Sequence, residues 1–118
     1  MRVKDALGRF GEGLVDEHLR RQGWEVLDRN WRGAGGELDI VALDGSELVV
    51  VEVKTRRSTA FGHPAEAVTG PKLARIRRLT GQWLAAHEAR PSSVRVDVVA
   101  VLVPRRGAPS LEHLVGVV

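Results

Sequence analysis

The chain has 118 residues, 43% hydrophobic and 28% charged, which suits one domain (1–118) able to bury roughly two-thirds of its extended surface. It has no cysteine, which excludes disulfides and thiolate metal sites, and no apolar run near the ~20 residues of a membrane-spanning helix. Its formal net charge is +3 and arginine supplies 15 of its 18 basic residues, which fits phosphate contact but equally an arginine-rich composition encoded by a GC-rich genome.

The opening "MRVKDALGRF" lacks the apolar region of a signal peptide, so a soluble cytoplasmic protein is expected. Residues 5–22 read as a helix, with Asp5 as cap, Leu7, Phe10 and Leu14 at helical spacing and Gly23 as the stop. Glu12 shares a face of that helix with Val15 and Leu19, and it reads either as an exposed glutamate or as part of a site. A short strand, "WEVLD" (24–28), precedes an Arg- and Gly-rich loop, "RNWRGAGG" (29–36). "ELDIVAL" (37–43) and "ELVVVEVKT" (47–55) then form a hairpin through "DG". After a loop with Gly62 and Pro64, residues 71–88 read as a second helix that starts at Pro71 and packs through Leu73, Ile76, Leu79, Trp83 and Leu84. "VRVDVVAVLV" (94–103) is a further buried strand, and the tail "SLEHLVGVV" could add a last one. The fold class is α/β, in the core order α-β-β-β-α-β, with a mixed sheet flanked by helices.

The hairpin carries the chemistry. "LVVV" has no polar face and suits a strand covered on both sides, yet it ends in Glu52 and Lys54. Alternation puts Glu52, Lys54 and Arg56 on one face and Val51, Val53 and Thr55 on the other. A two-residue turn at Asp44–Gly45 would set Asp39 diagonal to Glu52 and Glu37 directly opposite it. Clustered carboxylates repel unless a cation offsets them, and hard oxygen donors favour Mg²⁺ or Mn²⁺. A Glu52–Lys54 ion pair beside a solvated Glu37 and Asp39 accounts for the same residues. His18, His63, His87 and His113 lack zinc-ligand spacing. Arg29, Arg32, Arg56 and Arg57 flank the cluster, and Lys72 lies on the second helix with Arg75, Arg77 and Arg78. These side chains form either a nucleic-acid groove or a solvated basic surface. His63 in "FGHP" could touch a phosphate or be an ordinary loop histidine. Trp31 could stack on a base or lie partly buried. Asp97 interrupts an apolar strand and is expected to bond locally, with Arg95 or a loop amide.

The stretch "GGELDIVALDGSELVVVEVKTR" resembles the core of the PD-(D/E)XK, or restriction-endonuclease-like, nuclease superfamily. "GRFGEGLVDEHL", "GGELDIVA", "VVVEVKTR", "FGHPAEAV" and "RVDVVAV" together resemble the YraN-like family of uncharacterised bacterial proteins, from about Gly8 to Val103. The D-x12-E-x-K spacing is also similar to that of archaeal Holliday-junction resolvases. The resemblance implies that Asp39 and Glu52 are the superfamily's acids, Lys54 its lysine, Glu12 its helical carboxylate and Glu37 an accessory acid. Leu38 stands where the signature has proline. The implied activity is a Mg²⁺- or Mn²⁺-dependent endonuclease acting on structured or branched DNA. Asp39, Glu52, Glu12 and the Val53 carbonyl would serve the metal. The alternative is a non-catalytic nucleic-acid-binding or assembly module that keeps the nuclease fold. Monomer and homodimer are both open.

Overall fold

The computed structural model describes residues 5–58 and 68–117. The element order is α1 (Ala6–Arg21), β1 (Glu25–Gly33), β2 (Gly36–Asp44), β3 (Glu47–Arg56), α2 (Gly70–His87), β4 (Ser93–Leu102) and β5 (Ser110–Leu114). Asp5 caps α1 as expected, its Oδ1 accepting from the Gly8 N–H at 2.7 Å. α2 starts one residue before Pro71, and Thr69 is its cap.

The strands lie in chain order, β1-β2-β3-β4-β5. All neighbours are antiparallel except β3 and β4, which are parallel, with α2 as the crossover between them. The expected loop at 29–36 is a strand through Gly33, so β1 and β2 form a long hairpin closed by Ala34 and Gly35. A polar run without apolar alternation carries little strand signal. Here it forms the sheet's edge, and its arginines meet carboxylates of α1 and β2 rather than the core. The tail adds β5 at the other edge.

Each face of the sheet is covered by one helix. Val15 and Leu19 of α1 pack on Ile40, Ala42, Val49, Val51, Val99 and Val101. Ile76, Leu79 and Trp83 of α2 pack on Leu38, Val41, Leu48, Val50 and Val96. Burying such a side chain contributes about 1.5–3 kcal/mol. A strand buried on both faces needs apolar residues at every position, which accounts for the run Leu48–Val51 in β3. Among the described residues, no helix is long and apolar enough to cross a membrane.

Candidate functional site

The β2–β3 turn is Gly45–Ser46, not Asp44–Gly45: Asp44 pairs with Glu47 and Leu43 with Leu48. Gly45 has φ 63 while Ser46 stays at negative φ, the pattern of a turn with glycine in its first central position. A turn at Asp44–Gly45 would have required positive φ at Asp44 too. The register moves by an even step, which leaves the faces of β3 as expected but changes the residue opposite each position. Asp39, rather than Glu37, falls opposite Glu52, one step beyond the last hydrogen-bonded pair, Ile40–Val51.

Beyond that pair β2 and β3 part, and β3 continues to Arg56 on β4 alone. The Val53 N–H is taken instead by the Asp39 carboxylate, at 2.9 Å to Oδ2. A charge-assisted bond of this kind pins the side chain at the seam between the strands. Asp39 is only 3% exposed and Glu52 8%, while Lys54 is half-buried. Val51 and Val53 pack towards α1, so Glu52 and Lys54 project from the face that α2 covers.

Asp39 also marks a break in the pleat. Ile40 and Ala42 belong to the core under α1, whereas Val41 and Leu38 both belong to the core under α2. Across from Asp39, Asn30 has φ 52 and is skipped between the pairs Arg29–Ile40 and Trp31–Leu38. Asparagine tolerates this left-handed conformation better than most residues. Its side chain is thereby turned to α1, where Nδ2 donates to Glu12 Oε1 at 2.7 Å.

Glu12 itself is 1% exposed. Arg29 donates to it from Nε and Nη2 at 3.4 and 3.3 Å, and from Nη1 to Asp16 at 3.2 Å. The helix approaches β3 closely here: a Cβ on Gly11 would lie 2.0 Å from Thr55 Oγ1. Glu12 thus sits in an Arg29–Asn30 clamp. Among the described residues, no three Asp, Glu or His side chains gather closely enough to hold a metal ion in this arrangement. The donor set that remains at the seam is the pair Asp39 and Glu52. Two carboxylates suit Mg²⁺, which keeps several waters and is commonly held by one or two carboxylates together with substrate phosphates.

The basic residues separate into groups. Arg29, expected in a groove, has its charge matched by Glu12 and Asp16. Arg32 pairs with Glu37 at 3.5 Å and remains 50% exposed. Arg56 is half-buried at the end of β3 and Arg57 is exposed beyond it, while Lys72 is half-buried in the first turn of α2. His63 lies outside the described residues. Trp31 is partly buried against the α2 core and edge-on to His87.

Asp97 is a separate structural hub. It is fully buried and accepts from Arg95 Nε and Nη2 at 2.8 and 3.1 Å and from the Gly116 N–H at 2.9 Å, both expected types of partner. His113 of β5, 2.7 Å away, is a partner that local sequence did not indicate. Burial pushes the Asp97 carboxyl upwards, but bonds from His113, Arg95 and the Gly116 amide outweigh it and leave the pKa below its ordinary value. Arg95, bonded to Asp97 and beside Glu47 and Asp44, is raised.

Residues 11–101 match the model of a family described as "Uncharacterised protein family UPF0102". The chain is 60% identical over 117 residues to a UPF0102 protein of Beutenbergia cavernae, an alignment covering 99% of both chains. It is 57% identical over 118 residues to one of Kineococcus radiotolerans (99% of this chain, 97% of the relative). A third, from Streptomyces coelicolor, is 54% identical over 119 residues (99% and 92%).

Proposed function

The chain belongs to the UPF0102 family, and on that footing we propose that it is a Mg²⁺-dependent nuclease acting on structured or branched DNA, in the cytoplasm. The observation that carries this reading is the seam between β2 and β3. There the Asp39 carboxylate replaces the backbone ladder at Val53, opposite buried Glu52 and next to Lys54. Two acids and a lysine at the end of a buried strand are costly in a core and useful beside a phosphodiester.

Asp39 and Glu52 would hold the cation, with the Val53 carbonyl as a further oxygen. When bound, Mg²⁺ (or Mn²⁺) supplies Lewis-acid polarisation of the phosphate and eases ionisation of water. Lys54 lies two residues beyond Glu52, on the same face, where its ammonium can meet the charge that builds up on the phosphoryl oxygens in the transition state. The Arg29–Asn30 clamp holds Glu12 on the α1 side of the seam, where it orders the scaffold around Asp39.

The test is a cleavage screen over single-stranded, duplex, flap and four-way-junction DNA and matched RNA, with Mg²⁺, Mn²⁺ or chelator. Metal-dependent cutting of structured DNA is expected, falling about 10²–10³-fold in Lys54→Met, a loss typical of removing one transition-state donor. Wild-type protein that binds neither metal and cuts no substrate would refute the assignment, and a folded Lys54→Met with full activity would refute the lysine's role. A second reading is favoured by the absence, among the described residues, of any three-carboxylate group. It is a non-catalytic nucleic-acid-binding module. Binding unchanged by chelator and by Asp39→Ala, without cleavage, would establish it instead.

A further inference from the structure

We infer that the tip of the β1–β2 hairpin and one stripe of α2 together form a fixed track for a nucleic-acid phosphodiester backbone, leading to Lys54; this rests on the phosphodiesterase reading of the seam. Gln82 joins the two elements. Its Oε1 accepts from the Ala34 N–H at 2.8 Å, and its Nε2 donates to the Ala34 carbonyl at 3.3 Å. The tip has no room for side chains at this contact. A Cβ on Gly33 would lie 2.5 Å from Gln82 Oε1, and one on Gly36 would lie 3.3 Å from Leu79 Cδ1.

Arg75 and Arg78 stand at the same contact, two turns and one turn before Gln82 respectively, on its face of the helix. The position of a Cβ on Gly35 is 3.3 Å from Arg78 Nη2, and that of one on Gly36 is 3.7 Å from Arg75 Cδ. Both arginines are exposed, and neither makes an ion pair among the described residues. Arg32 stands outside this stripe: it follows Trp31, which packs towards α2, and it is paired with Glu37.

The topology places this stripe beside the seam. β2 begins at the hairpin tip and runs antiparallel to β3, so the tip lies at the end of the sheet where β3 finishes. α2 covers the face from which Glu52 and Lys54 project. Guanidinium groups with little local acid, held on a rigid contact at that end and face, match phosphate oxygens, which arginine takes in bidentate fashion.

The experiment measures binding by fluorescence anisotropy in EDTA, so that cleavage does not enter. The probes are four-way-junction DNA, duplex DNA and duplex RNA, between 50 and 200 mM salt. Arg75→Ala/Arg78→Ala should lower the slope of log affinity against log salt by about 1.8, so that affinity falls about tenfold less across that range. Arg75→Lys/Arg78→Lys should keep the slope. Arg20→Ala/Arg21→Ala, with the same change in net charge on α1, should leave it at the wild-type value, because those arginines are paired with Asp16 and Glu17. The probe that shows the difference identifies the nucleic acid. An unchanged slope in the α2 variant, an equal loss in the α1 control, or no wild-type binding to any probe would overturn the track. A protein that binds with the full slope yet never cuts overturns the nuclease reading alone; one that cuts while its slope ignores Arg75 and Arg78 overturns the track alone.

Discussion

Gly11→Ala and Gly13→Ala, two residues apart in α1, should change stability in opposite directions. Each gains about 0.8–1.0 kcal/mol of helix propensity. At Gly13 nothing lies within 4 Å of the added methyl group, so the gain stands and the protein should be about 1 kcal/mol more stable. At Gly11 the methyl would lie 2.0 Å from Thr55 Oγ1, 2.8 Å from Cγ2 and 2.9 Å from Cβ. Rotation of Thr55 can move the first two atoms but not the third, so α1 must lift from β3 and loosen Val15 and Leu19 in the core. Overpacking costs roughly 1–3 kcal/mol; taking the upper end leaves a net loss of about 2 kcal/mol. The variants should therefore differ by about 3 kcal/mol in urea unfolding at equal m, or about 12 °C in Tm. Thr55→Ala should restore part of the loss in the Gly11→Ala background and couple to it in a double-mutant cycle. A Gly11→Ala protein as stable as Gly13→Ala would refute the close approach that sets Glu12 beside Asn30.

Asp97→Ala removes the fully buried acceptor shared by Arg95, His113 and the Gly116 amide, and because Arg95 keeps Glu47 it should cost about 3 kcal/mol, the low end for a broken buried pair, by denaturant titration. Because the folded Asp97 pKa lies below its unfolded value of about 3.9, its contribution is complete above that pH and is lost as pH falls through the folded value. Asp97→Asn should lack this acid limb, and an unchanged pH–stability curve would count against it. Asn30→Gly keeps the left-handed backbone but loses the bond to Glu12, costing about 1 kcal/mol, while Asn30→Ala should cost roughly 1–2 kcal/mol more in thermal unfolding. Mg²⁺ should raise the Tm of the wild type, by about 2.7 kcal/mol of stability at a hundredfold excess over Kd, and more near neutral than at acid pH. Equal shifts in Asp39→Asn/Glu52→Gln would show that the seam does not bind the ion.

What could be read from the chain divides along a physical line. α1 and α2 were legible because their apolar residues keep the helical period, and β3 and β4 because strands buried on both faces read as near-continuous apolar runs. The far half of β1 was not, because Arg29 to Gly33 pairs at an edge and owes its place to carboxylates distant in sequence. At the hairpin the shared face of Glu52 and Lys54 was legible from alternation within one strand, while the residue opposite Glu52 was not, because the turn falls at Gly45–Ser46 and not at Asp44–Gly45. The role of Glu12 was the least legible, because it depends on the positive φ of Asn30 and the reach of Arg29, neither of which has a periodic signature. That clamp bears on chemistry. To join Asp39 and Glu52 at a cation, Glu12 would have to exchange an asparagine bond at 2.7 Å and two arginine bonds for a metal contact, inside a site where each lost partner leaves a buried polar group behind. The proposed cation site therefore rests on the two carboxylates at the strand seam, and Glu12 is proposed to act through Asn30, the residue across from Asp39 in the neighbouring strand.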